Sequence, residues 1–222
     1  MSGVADPVIL SGEAMDEEQL MKSSVDTANT LLEYVIYLNV AFLSFIFGDF
    51  DRAAMYSQKI WDIADKFPGM YIINIQAFYD GLSSYALARR ITKNKKKWRK
   101  RGRKMTNKFV TWAKKCPSNN AHKALLLKAE DAALFAVKSK KKRELANNAY
   151  AAAISTAKNS GFLNDAAIAS ERAAEFYNDI GEEEIFATHI AQLYRLYHKW
   201  GATAKCEGIA NTYPEIVFNT IE

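Results

Sequence analysis

Eleven Lys and Arg residues stand between Arg89 and Lys104 with no acid among them, in the run ARRITKNKKKWRKRGRK. Cations packed this closely form an electrostatic patch for phosphates and other anions. A nucleic acid, an acidic protein surface or an anionic membrane each satisfies such a run. The candidate residues are Arg89, Arg90, Lys93, Lys95, Lys96, Lys97, Arg99, Lys100, Arg101, Arg103 and Lys104. Trp98, set among them, has the shape to stack on a base or to sit at a lipid interface. The cluster also has the form of a nuclear-localisation signal. The plainer reading places the lysines on a solvated helix face. Trp98 then packs inward with Met105, Phe109 and Trp112, and the seven-residue step from Trp98 to Met105 favours that packing. The net charge of +5 hides this asymmetry: 5 − 11 leaves −6 for the rest of the chain.

A second cluster, Lys138, Lys140, Lys141, Lys142 and Arg143, falls in a predicted inter-helix turn. In alternating hairpins this turn and the one near residue 92 lie on one edge. The two clusters would then form a single basic rim. The competing reading is that the lysines only solubilise a turn.

No catalytic, cofactor-binding or metal-ligating constellation stands out. His189 and His198 lie nine residues apart, about 180° around a helix, so they cannot chelate one ion together. His122 has no accompanying nucleophile motif and reads as a capping or packing residue. Asp49, Asp51, Asp62 and Asp65 lack the spacing and glycine of a calcium loop. Glu171 and Glu175 stand one turn apart, but Arg172 between them suggests an ordinary solvated face. Cys116 and Cys206 match no disulfide or metal framework, which points to a reducing, intracellular compartment, cytoplasmic or nuclear. The most apolar run, 34–47, is too short to span a bilayer, so the chain reads as no integral membrane protein.

The elements behind these residues are helical. Gly161, Gly181 and Gly201 stand twenty residues apart. Between the first two, Phe162, Ala166, Ala169, Ala173, Phe176 and Ile180 recur at spacings of 4, 3, 4, 3, 4. Between the second two, Phe186, Ile190, Leu193, Tyr197 and Trp200 do the same. Each series marks one apolar stripe. Glycine at each end suits the left-handed residue that closes a helix. The same periodicity predicts helices over 23–47, 50–66, 70–91, 95–115, 120–137, 141–159 and 202–211. A leader over 1–20 and a tail over 215–222 flank one helical-repeat domain over 21–214. The expected fold is all-α: an α-solenoid of about four antiparallel, tetratricopeptide-like hairpins plus a short C-terminal helix.

Several phrases carry a resemblance. They are Phe47-Gly48-Asp49-Phe50 with Ala53, Phe78-Tyr79-Asp80 with Leu82, and Trp112-Ala113 followed by Cys116-Pro117 and Asn120-Ala121-His122-Lys123. Glu130 and Ala132 continue them, then AIASERAAEFY (167–177), Tyr194, Trp200-Gly201-Ala202, Ala204-Lys205 and Tyr213-Pro214. In this order they resemble the tetratricopeptide-like helical region of large multidomain signalling proteins. In those proteins an AAA-type ATPase is joined to a kinase or nucleotide-cyclase module. The resemblance implies a helical coupling arm with no chemistry of its own. Nothing matches a Walker A loop or a kinase motif, and the 89–104 run is more basic than that family would suggest. The expected role is a non-enzymatic interaction or scaffold module without cofactor, docking a protein partner. The alternative is a nucleic-acid- or anionic-surface-binding protein using the basic rim.

Overall fold

Short polar side chains start several of the helices by accepting a hydrogen bond from an orphan backbone amide. Asp16 accepts from Gln19 N, Asn29 from Leu32 N, Asp49 from Arg52 N and Ser139 from Lys142 N. Prolines at the first turn start others, where a missing N–H costs nothing. In this computed structural model the described residues are 11–12, 15–90 and 94–221, with side chains described for 16–90 and 94–218. Among them the chain is all-α, with eleven helices and a two-residue antiparallel pairing of β1 (Ser11–Gly12) with β2 (Met15–Asp16).

The helices are α1 (Glu17–Asp26), α2 (Thr30–Ile46), α3 (Phe50–Trp61), α4 (Ile72–Arg90), α5 (Lys95–Lys115) and α6 (Pro117–Ala133). After them come α7 (Lys140–Asn159), α8 (Leu163–Asp179), α9 (Glu183–Trp200), α10 (Thr203–Thr212) and α11 (Pro214–Ile221). The helix expected over 23–47 is two helices. Ala28 has φ +50° and Asn29 caps the second, because Asn bonds the backbone better at a cap than inside a helix. Residues 17–20, expected as leader, open α1. The expected tail contains α11, started by Pro214. Gly161, Gly181 and Gly201 have φ of +80°, +76° and +86°, so each occupies the predicted left-handed closing position.

Contacts divide the chain into two compact units, Met1–Gly102 and Arg103–Glu222. In the first unit Tyr37 meets Tyr56 and Phe45 meets Phe50, so α2 and α3 run antiparallel. Tyr34 donates to Gln76 Oε1 at 3.2 Å, and Phe42 and Phe45 both meet Tyr79. Those pairs ascend together, so α2 and α4 run parallel. Helix α4 is buried on every side from Gln76 to Ala88. Its Tyr85 ring lies against Gly102 of α5; a Cβ there would sit 2.8 Å from the ring.

In the second unit Tyr177 meets His189 and Tyr197 donates to Glu171 Oε2 at 2.6 Å, which makes α8 and α9 antiparallel. Tyr150 packs on Phe176, and the Tyr177 hydroxyl bonds Asn147, so α7 and α8 are antiparallel too. Helices α6 and α8 run parallel, tied at His122–Asp165 and Glu130–Arg172. Ala166, Ala167, Ala169, Ala173 and Ala174 are all buried on α8 and let its neighbours approach closely.

Candidate functional site

Helix α5 carries the basic run, and its side chains sort into two faces. At about 100° per residue, Trp98, Met105, Phe109 and Trp112 fall on one side. Met105 and Phe109 are buried, while Trp98 and Trp112 are half-buried. Lys96, Lys97, Lys100, Arg103 and Lys104 fall on the other side, and all five are exposed. Lys96, Lys100 and Lys104 make no ion pair among the described residues. Arg103 is 3.9 Å from Asp131 with 59% of its side chain exposed, a contact of little energetic consequence.

Other members of the run are engaged by neighbouring groups. Arg101 donates from Nε to Asp80 at 2.7 Å, and Trp61 Nε1 donates to the same carboxylate at 2.9 Å. Asp80 is fully buried, so Arg101 is a structural partner before it is a docking group. Arg90 lies over the Phe50 ring at 4.3 Å and donates to Gly48 O at 3.3 Å. Arg89, Lys95 and Arg99 are half-buried. Lys93 lies outside the described residues. Lys97 Nζ and the Arg101 guanidinium stand 5.5 and 5.8 Å from the Trp98 ring centre, where cation–π attraction holds them.

In the second cluster Lys138, Lys140, Lys141 and Lys142 are exposed and Arg143 is half-buried. Val137 (65% exposed) and Leu145 (52%) stand beside them. Leu145 follows Lys141 by one turn on the outer face of α7. The two clusters belong mainly to different units, so a continuous rim between them stays an expectation of the sequence.

The titratable groups missed by sequence reasoning are buried. Arg172, expected on a solvated face, is 2% exposed. It donates from Nε and Nη2 to the two oxygens of Glu130 at 3.1 and 2.9 Å and from Nη1 to Glu175 at 2.7 Å. Tyr150 also donates to Glu130, at 2.6 Å. Burial alone would lower the Arg172 pKa, but the charges of Glu130 and Glu175 outweigh it and hold the guanidinium well above its ordinary value. The weak signal was a largely apolar setting, LLLKAEDAAL around Glu130 and AIASERAAEF around Arg172, which the neighbouring charges Asp131, Glu171 and Glu175 masked.

His122 lies 2.7 Å from Asp165 through Nε2 and stacks on Phe162 at 4.7 Å. Lys123 Nζ is 3.8 Å from the same carboxylate. His122 Nδ1 has no partner among the described residues, yet the ring is 2% exposed, which closes it to a substrate. His189 stacks on Tyr177 at 5.1 Å, and burial lowers its pKa, favouring the neutral ring. Among the described residues no helix is long and apolar enough to cross a membrane. Comparison with protein-family models, with curated proteins and with solved structures gives no match.

Proposed function

We propose that the chain is a non-catalytic helical-repeat module that docks a protein partner, related to the coupling arms of multidomain ATPase signalling proteins. The observation that carries this reading is the recurring tie between a helix and the next but one. Tyr34–Gln76, His122–Asp165 and Glu130–Arg172 join residues 42, 43 and 42 apart. Ties at one offset within each unit suit a helical-repeat protein, whose role is to present surface. The buried acids and bases are spent on one another, which fits a rigid scaffold better than a reaction centre. Two free cysteines suit an intracellular, reducing setting.

The docking edge in this reading is the start of α7. Val137 and Leu145 are exposed apolar residues there, and Lys138, Lys140, Lys141 and Lys142 are the exposed cations between them in sequence. Exposed apolar side chains in a polar setting are the usual make-up of a protein interface. The cations select a partner segment with acidic flanks. The test is tagged full-length chain, wild type against V137D/L145E, used to co-purify partners from its native source. Both residues point outward, so helicity and thermal midpoint should be unchanged. The partner recovered by wild type should be lost from the variant, and its retention would remove this edge from the functional account.

A further inference from the structure

The outward face of α5 differs in composition from the α7 edge, and the difference identifies its partner. Lys96, Lys97, Lys100, Arg103 and Lys104 are exposed there. No large apolar residue between 95 and 115 is exposed. Protein interfaces are built on an apolar or aromatic centre. Nucleic-acid interfaces are more polar and far more positive. A lysine stripe with no apolar centre therefore has the composition of a phosphate-binding surface.

We infer that this face of α5 docks the backbone of a nucleic-acid duplex without reading its sequence. Lys96, Lys100 and Lys104 follow one another at four-residue steps, about 6 Å apart along the helix axis. They form a row of point charges laid along one line. A flexible ammonium neutralises a phosphate as a point charge, without the bidentate fork of arginine. Single strands are recognised largely by stacking on aromatic rings. Among the described residues the aromatic beside the stripe is Trp98, which faces the other way and is flanked by Lys97 and Arg101. An anionic membrane fits less well, because the apolar face such a helix would insert is closed: Met105 is 2% and Phe109 0% exposed. Outside 89–104 the chain is net negative by six charges, so repulsion elsewhere would turn the basic run toward the duplex.

The inference is independent of the α7 edge, and one experiment keeps them apart. A fluorescently labelled 20-base-pair DNA duplex is titrated with the full chain, by anisotropy, from about 50 to 200 mM salt. With about four phosphates neutralised, log K should fall against log salt with a slope of about −3.6, on the order of 100-fold over that range. A duplex of scrambled sequence should bind equally. The K96Q/K100Q/K104Q variant should lose about three slope units and most of its affinity. Its substitutions are exposed, so helicity should be preserved and is checked by circular dichroism. The V137D/L145E variant should bind the duplex like wild type. Three results would each overturn the inference: no duplex binding at 50 mM salt, an unchanged slope in the triple variant, or tighter binding to polyglutamate or to phosphatidylserine vesicles than to duplex.

Discussion

Replacing Glu130 by Gln should destabilise the second unit by about 3 kcal/mol. The carboxylate is fully buried and accepts three hydrogen bonds: from Tyr150 at 2.6 Å and from Arg172 at 3.1 and 2.9 Å. Glutamine keeps the volume but removes the charge, and it turns an amide toward a guanidinium that has only donors to offer. Breaking a buried ion pair from one side costs about 3–5 kcal/mol, because the other charge stays buried. Here Glu175 remains on Arg172 at 2.7 Å, with 36% of its side chain exposed. A partner so open to solvent compensates only in part, which places the cost near the lower end of that range. Urea unfolding gives the global value. Hydrogen exchange of peptides from α6, α7 and α8 localises it: about 3 kcal/mol is on the order of a 150-fold loss of protection. The E130L/R172M double variant should recover most of the loss, since both charges leave together. A cost below about 1 kcal/mol for E130Q, or a double variant less stable than the single, would refute the claim that this pair ties the unit together.

Two further outcomes follow from other contacts. Gly102→Ala should destabilise by about 1–3 kcal/mol, because the added Cβ would meet the Tyr85 ring at 2.8 Å. Helix propensity alone predicts a gain of about 1 kcal/mol, so the sign measured by urea unfolding decides between packing and propensity. Burial raises the pKa of Tyr34 to about 12, and burial together with the Glu33 carboxylate raises Tyr37 to about 12. An unfolded tyrosine titrates near 10, so between these values the folded chain holds more protons. Stability should be intact below pH ~10 and fall as pH rises toward ~12, the reverse of an acid-sensitive carboxylate. Unfolding midpoints across that range, with Y34F/Y37F as the flattened control, check the sign.

Much of this architecture was legible because helices announce themselves by period. The stripes at 162–180 and 186–200 and the closing glycines placed α8 and α9 within a residue or two. What the period could not show was a break inside an apolar run. Asn29 lies where the hydrophobic signal already points to helix, so its capping role was masked. The inward and outward halves of α5 were legible from Met105 and Phe109 against the lysines. The individual fate of Arg101 was not, since its partner Asp80 stands 21 residues away on another helix. The same holds for Arg172. Its neighbours Glu171 and Glu175 made the local sequence look solvated, and only Glu130, 42 residues earlier, explains why an arginine is buried there.

That distance is itself the basis for a reason why polar pairs sit in the core. Helix α8 meets its neighbours through Ala166, Ala167, Ala169, Ala173 and Ala174, all buried. An alanine face lets helices approach but distinguishes poorly between one register and the next, because a slip of one turn brings alanine against alanine again. His122–Asp165 and Glu130–Arg172 do discriminate: after such a slip each would leave a charge or a polar ring buried without its partner, at a cost of several kcal/mol. On this argument the pairs contribute less to stability than to the choice of register. The E130L/R172M chain then separates the two roles. Combined with H122L/D165L, so that neither pair remains, it should show doubled amide resonances for α6 and α8, whereas a single sharp set would mean that alanine packing alone fixes the register.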